Sequence, residues 1–279
     1  MKRFHIVHHV DRETIAGMYE NYAPVFLLST GRAGSKFIAE LLNLSPSVSA
    51  FHEPRPTLQY FSDFACRHQN RPEVLSRMID AARMEMILET CIQGKIFVES
   101  NQCLTFFAPA LAQLFRSSKF VHLVRHPGDF VASAVRKGWH KNDSIWEAGR
   151  VRSADGRRWG VMDQIERLGW LWDFTNRFIR DFLSALPAAR TMTCRLEDLV
   201  TGRNEVQALF SFCRAAVPEP AKVRALQARP VNALWIDPDE PANMKKNPAF
   251  PGYADWPGGD KLKLRGLAGE TALSYGYEI

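Results

Sequence analysis

The stretch from Val25 to Leu42, VFLLSTGRAGSKFIAELL, carries the strongest fold signal in the chain. Its first four residues form a short, continuous apolar run of the kind that makes a strand buried on both faces. From Phe37 onward the pattern changes, because Phe37 with Leu41 and Ile38 with Leu42 repeat at helical spacing. Between the two lies STGRAGSKF, residues 29–37, a loop with two glycines. The expected order is strand, glycine loop, helix, which aims several backbone N–H groups and the positive end of a helix dipole at one point. Gly31 and Gly34 let the backbone approach a bound group closely, while Arg32 and Lys36 add positive charge and Ser35 adds a hydroxyl donor. A loop so built suits an anion, most often a phosphate.

Further strand-like runs lie at 95–98 (KIFV), 119–124 (KFVHLV) and 190–194 (RTMTC), with a weaker one at 47–51. Helical patterns fall between them at 35–44, 57–68, 72–92, 104–116, 127–138 and 160–185. Strands alternating with helices predict an α/β fold, a three-layer α/β/α arrangement around a central parallel sheet of the P-loop nucleotide-hydrolase type. In such a sheet ligands gather beyond the carboxyl ends of the strands. With no repeat or linker in view, residues 1–279 are expected to form a single domain, with 1–23 as an N-terminal extension and 230–260 as a long loop rich in Pro, Asn, Asp and Gly.

Composition narrows the setting. The longest apolar runs fall short of a bilayer span, and the polar start MKRFHIVHHV has no signal-peptide core, so the expected location is cytoplasmic with no membrane span. Five scattered cysteines without a C-x-x-C pair argue for neither a disulfide framework nor a zinc site. His5, His8 and His9 have no partner at a metal-ligand spacing and are read as a solvated segment. The net charge of +6 fits an anionic ligand, and residues 136–158 hold seven Lys or Arg against three acids.

A second stretch, KFVHLVRHPGDFVASAVRKGW at 119–139, repeats the grammar of the first. The strand ends at Arg125, and Pro127 suits the first turn of the next helix, where its missing N–H is no loss. Asp129, Ser133 and Lys137 are four apart and share a face, so Ser133 and Lys137 are expected to join Arg125 at the strand ends. Arginine offers a planar fork for phosphate, serine a neutral donor and lysine a point charge. Two such sites on neighbouring strands predict one ligand with two anionic ends.

These two stretches resemble the sulfotransferases that use PAPS, 3′-phosphoadenosine 5′-phosphosulfate, and release PAP. LLSTGRAGSKF looks like that family's 5′-phosphosulfate loop, and VHLVRHPGDFVASAVRKGW like its 3′-phosphate element, with the same eight-residue step from Arg125 to Ser133. Weaker echoes are FHEP at 51–54, FVESN at 97–101 and CRLEDLV at 194–200, so the resemblance spans about residues 24–200. It implies that Arg32, Ala33, Gly34, Ser35, Lys36 and Phe37 hold the 5′-phosphosulfate, that Arg125 and Ser133 hold the 3′-phosphate, and that Lys137 adds a contact. Arg32 stands where many cytosolic members carry lysine, and His126 where an aspartate is common. The loop is therefore closer to the bacterial and the carbohydrate- and tyrosine-sulfating branches.

The resemblance also implies in-line transfer of a sulfuryl group to an acceptor hydroxyl, on a carbohydrate or small metabolite, with no metal. Arg32 and Lys36 suit the charge that develops on sulfate and leaving phosphate. A glutamate in the loop after the second strand serves as general base in the carbohydrate and tyrosine branches, and Glu53 in AFHEPRP is the matching position. His52 and Glu99 are the competing bases, and Arg55 a neighbouring acceptor contact. Five of the seven tryptophans lie between 139 and 172 and overlap the basic excess, so Trp139, His140, Trp146 and Trp159 are acceptor candidates, whereas Trp170 and Trp172 read as core. Met244, Lys245, Lys246 and Asn247 are placed over the nucleotide from the late loop.

Two rival classes remain. A P-loop kinase or NTPase would share the strand, loop and helix, but its G-x-x-x-x-G-K-[ST] signature is missing, since Gly31 and Gly34 are three apart and Ser35-Lys36 reverses the order. A non-catalytic nucleotide-binding protein would not need Glu53. Nucleic acid is not an expected partner, for want of a recognisable motif. Oligomeric state is not legible.

Overall fold

A computed structural model describes residues 10–141, 150–154, 156–229 and 249–279. At its centre is one parallel five-stranded sheet, β1 (Val25–Leu28), β2 (Val48–His52), β3 (Ile96–Ser100), β4 (Lys119–Val124) and β5 (Thr191–Arg195), in the order β2-β3-β1-β4-β5. All four pairings are parallel. The weak candidate at 47–51 is therefore a full strand, and β1 and β4, which precede the two predicted anion elements, are hydrogen-bonded neighbours.

The helices among the described residues are α1 (Arg12–Glu20), α2 (Ser35–Leu42), α3 (Ser62–Arg67), α4 (Pro72–Ile92), α5 (Ala108–Leu114), α6 (Pro127–Arg136), α7 (Gly156–Val161), α8 (Gln164–Ser184), α9 (Leu196–Thr201), α10 (Arg203–Cys213), α11 (Pro220–Gln227) and α12 (Gly258–Ser274). None is long and apolar enough to cross a membrane. Side chains of a strand alternate between faces, and the continuous runs in β1 and β4 feed both. Val25, Leu27, Val121 and Leu123 pack with α2, α9, α10 and α11 on one side. Phe26, Leu28, Phe120 and Val124 pack with α4, α5, α6, α8 and α12 on the other.

Several boundaries differ from the sequence reading. The pattern at 57–68 is a 3₁₀ turn at Gln59–Phe61 followed by α3, and that at 104–116 is a 3₁₀ segment at Gln102–Phe107 followed by α5. The pattern at 160–185 splits because Asp163 caps a new helix, accepting from the Ile165 and Glu166 backbone while the Glu166 side chain accepts from the Asp163 N–H. The expected extension at 1–23 contains α1, whose Met18 is fully buried and whose Tyr19 hydroxyl donates to Asp80 at 2.6 Å. The expected loop at 230–260 gives way at Tyr253–Asp255 to a 3₁₀ turn and at Gly258 to α12. The histidine-bearing start, Trp146 and residues 244–247 lie outside the described residues.

Candidate active site

The glycine loop follows β1 directly. Thr105 holds its start, donating through Oγ1 to the Ser29 carbonyl at 2.9 Å, and the Gly31 N–H donates to Ser29 Oγ at 3.0 Å. Gly31, Arg32 and Gly34 all take left-handed backbone conformations, with φ of 73°, 50° and 82°. Such a run of residues turns successive N–H groups toward one side. Space also requires the glycines: a Cβ on Gly31 would fall 1.7 Å from Gln102 Oε1, and one on Gly34 2.3 Å from Leu196 Cδ1. Leu196 belongs to the CRLEDLV stretch, which the sheet thereby brings against the loop. Ser35, Lys36 and Phe37 open α2, and Ser100 at the end of β3 ties this turn down by donating to the Ser35 carbonyl at 2.9 Å.

Arg125 lies one residue beyond β4, beside the loop. Its Nη1 donates to the Arg32 carbonyl at 2.9 Å, and Arg32 Nε in turn donates to Ser133 Oγ at 3.0 Å. The two stretches picked out as separate anion elements thus form one hydrogen-bonded unit, and Arg32 links them. Trp172, fully buried on α8, fixes the Arg125 backbone by donating from Nε1 to its carbonyl at 3.0 Å. Burial is the main influence on the Arg125 guanidinium and lowers its pKa from the usual value, while Asp129 and Glu197 oppose it. A phosphate beside it would offset that desolvation. The next residue, His126, packs between Tyr253 and Tyr277, at ring separations of 4.9 and 5.5 Å, and its N–H donates to Glu197 at 2.9 Å. Lys137 caps the carboxyl end of α6.

Beside the start of the loop a cavity of about 90 Å³ opens, lined among others by Ser29, Thr30, Glu53, Gln102, Cys103 and Arg150. Glu53 stands at its mouth, exposed, at the tip of β2, with its N–H donating to the Ser100 carbonyl at 3.1 Å. Its φ of 47° is unfavourable for a residue with a side chain, the kind of local strain found where a surrounding structure dictates the direction of a functional group. His52 turns Nδ1 to the Ser100 carbonyl at 3.1 Å, and neither it nor Arg55 is among the residues lining the cavity.

Glu99, the other carboxylate weighed as a base, lies inside the protein. Its side chain is fully buried, 2.6 and 2.8 Å from Nε and Nη2 of the equally buried Arg83, with Asn101 Nδ2 at 3.1 Å. Burial raises its pKa against the pull of Arg83 and Asn101. It is not among the residues lining the cavity. It braces the site instead, because Arg83 Nη2 also donates to the Pro54 carbonyl at 3.5 Å and Asn101 Nδ2 to the Thr57 carbonyl at 3.3 Å, tying the Glu53 loop to β3.

Of the aromatic candidates, Trp139 reaches the glycine loop: its ring comes 2.7 Å from the position of a Gly31 Cβ, and Arg150 lies over it at 3.5 Å. Trp159 stacks edge-on against Trp170, and the His140 carbonyl accepts from Arg167 at 3.0 Å. Gln102, Cys103 and Arg150 line the cavity without having been singled out as candidates by the sequence. Arg150 was counted only within the basic excess, and Gln102 follows the FVESN stretch with no signal of its own. Burial, seconded by Glu53, pushes the Cys103 thiol up to about 12, so it stands in the wall as a neutral group and not as a nucleophile.

The model of the sulfotransferase family matches residues 24–219. No curated protein matches. Among solved structures, the chain is similar to the sulfotransferase domain from the Synechococcus PCC 7002 olefin synthase, at 18% identity over 92% of this chain and 97% of that one, with a TM-score of 0.55. It is also similar to the sulfotransferase domain from the curacin biosynthetic pathway, at 20% identity over 72% and 76% with a TM-score of 0.49, and to sulfotransferase STF9 from Mycobacterium avium, at 10% identity over 92% and 78% with a TM-score of 0.49.

Proposed function

The chain belongs to the sulfotransferase family, and from that premise we propose that it transfers the sulfuryl group of PAPS to the hydroxyl of a small-molecule or glycan acceptor, with Glu53 as general base. The observation that carries this reading is the pair of bonds from Arg125 to the Arg32 carbonyl and from Arg32 to Ser133. It joins Arg32 of the loop after β1, Arg125 just beyond β4 and Ser133 of α6 in one hydrogen-bonded unit, which suits a ligand with two anionic ends.

In this reading the turn 32–37 holds the 5′-phosphosulfate through its backbone N–H groups, Ser35 and Lys36, while Arg125 and Ser133 hold the 3′-phosphate and Lys137 approaches from the end of α6. PAPS supplies the activated sulfuryl group. The acceptor oxygen forms its bond to sulfur as the bond from sulfur to the bridging phosphate oxygen breaks, the acceptor proton goes to Glu53 and the electron pair leaves with PAP. Arg32 and Lys36 face the charge that grows on the departing phosphate, and their fixed positions do the work, since a group moving in line between two oxygens needs orientation and charge stabilisation more than covalent help. The cavity that opens beside the glycine loop at Glu53 leaves the acceptor the opposite approach. With residues 1–279 as one domain, donor and acceptor sites belong to the same unit.

Calorimetric titration with PAP, together with turnover measurements, tests the assignment. Arg32→Ala, Arg125→Met and Ser133→Ala each weaken PAP binding, the arginines by about 10- to 100-fold, as expected for a lost charge-assisted hydrogen bond. Glu53→Gln leaves PAP binding unchanged and lowers turnover by about 100-fold or more. Undiminished turnover in Glu53→Gln overturns the base, and binding of ATP with Mg²⁺ in place of PAP overturns the donor.

A further inference from the structure

We infer that Glu197 and Tyr277 are positioning residues of the donor site, which fix the backbone on either side of Arg125 and so set how strongly the protein prefers a nucleotide with a 3′-phosphate over one without. The inference rests on the proposed PAPS site and names what governs its 3′-phosphate selectivity.

The ladder between β4 and β5 ends at the pair Val124 and Arg195, one residue before Arg125. Beyond that point side chains from three other parts of the fold hold the chain. The Arg125 carbonyl accepts from Trp172 of α8 at 3.0 Å, and the His126 N–H donates to Glu197 Oε1 of α9 at 2.9 Å. The Tyr277 hydroxyl, beyond α12, lies 3.4 Å from the Val124 carbonyl and donates to Glu197 Oε2 at 2.7 Å. Both oxygens of Glu197 are thus engaged, one on the peptide that follows Arg125 and one on Tyr277. Hydrogen bonds to an ionised acceptor are the strong ones, and an arginine fork reaches a phosphate only where its backbone aims it.

Two local features of the sequence deliver these groups. Leu196, the residue before Glu197, is the one packed against Gly34, so consecutive side chains at the start of α9 brace the glycine loop and the Arg125 segment together. Gly276 turns the chain back from α12 with a φ of 75°. Its N–H donates to the Leu273 carbonyl at 2.9 Å and the Tyr277 N–H to the Ala272 carbonyl at 3.0 Å, the paired bonds of a Schellman cap. The buried Tyr277 ring then packs edge-on to His126 at 5.5 Å, with the Arg195 guanidinium 4.4 Å from its centroid. Glu197 and Asp129 also keep the Arg125 guanidinium charged against burial. A carboxylate repels a nearby phosphate through space, so the contribution of Glu197 lies in its bond to the His126 N–H. A glutamine, which keeps that acceptor oxygen without the charge, serves in its place.

The test compares PAP with AMP, which lacks only the 3′-phosphate, by calorimetric titration of the full chain and of Glu197→Leu, Glu197→Gln and Tyr277→Phe, with melting temperatures in parallel. The wild type is expected to prefer PAP by about 100-fold. Glu197→Leu loses both bonds and cuts that preference about tenfold with AMP affinity unchanged, Tyr277→Phe cuts it about threefold, and Glu197→Gln retains it. A role confined to stability lowers the melting temperature and weakens both nucleotides alike. An unchanged preference in Glu197→Leu and Tyr277→Phe, equal losses for PAP and AMP, or a loss in Glu197→Gln as large as in Glu197→Leu would each overturn the inference. Should Glu197→Leu fail to fold, Tyr277→Phe decides by the same ratio. A wild type that binds AMP as tightly as PAP, or binds neither, overturns the proposed donor site instead.

Discussion

Glu99→Ala separates the two carboxylates at the end of the sheet. In the wild type Glu99 and Arg83 pair at 2.6 Å with both side chains fully buried, and Arg83 also donates to the Ala82 and Pro54 carbonyls. Removing the carboxylate leaves a guanidinium in the core with no counter-charge and no route to water. Breaking a buried pair from one side costs about 3–5 kcal/mol, which at roughly 2–3 °C per kcal/mol for a chain of this size is a fall in Tm of about 6–15 °C. The same change frees Asn101 Nδ2 from one of its two partners and loosens the Glu53 loop, so turnover falls with PAP affinity held. Replacing both partners, as Arg83→Met with Glu99→Leu, restores most of the stability, since a buried ion pair exchanged for apolar groups of similar volume is close to neutral. Glu53→Gln, at an exposed position, changes stability by no more than the roughly 0.5 kcal/mol typical of surface sites, or about 1–1.5 °C in Tm. Differential scanning calorimetry of the four proteins reads the stability changes, and turnover and PAP titration read the rest. A Tm for Glu99→Ala within 2 °C of wild type would refute the reasoning, because it would mean that Arg83 finds water or another partner.

Two further outcomes concern the sheet and the loop. His122, fully buried on β4 with Nε2 against Asn176 Oδ1 at 2.8 Å, has its pKa lowered by burial to about 4. The unfolded chain binds a proton there near pH 6.5 and the folded chain does not, so stability is lost as pH falls from about 6.5 to about 4, by roughly 3 kcal/mol from this residue. Urea titrations at pH 7 and pH 4.5 should show that loss halved or more in His122→Gln, and an equal pH dependence in both proteins would refute the assignment. Gly31→Ala forces a side chain into a φ of 73° and against Gln102 and Trp139, with an expected cost of about 2–5 kcal/mol from backbone and overpacking together. PAP affinity falls with it, and a variant that melts and binds PAP like the wild type would show that the loop accommodates a Cβ.

The local physics of the chain was sufficient for the parallel sheet and for the glycine turn after β1. Continuous apolar runs such as Val25–Leu28 are legible because both faces of a parallel strand are buried, and the glycine loop because the chain needs glycine where φ turns positive. Arg125 stood out at the end of a strand and Ser133 through its helical spacing, and the bond between Arg32 and Ser133 joins stretches that the sequence already marked. Helix α12 was not, because four glycines lower its propensity and its apolar residues fall on both sides: Leu264, Ala268 and Ala272 are buried while Leu262 and Leu273 are exposed. It persists by packing on α8, a tertiary effect. The choice between Glu53 and Glu99 was equally out of reach of pattern, since both are glutamates at strand ends. Only the fold sets Arg83 of α4 beneath β3, sixteen residues back along the chain, and so turns Glu99 into a buried brace while Glu53 is left at the cavity mouth.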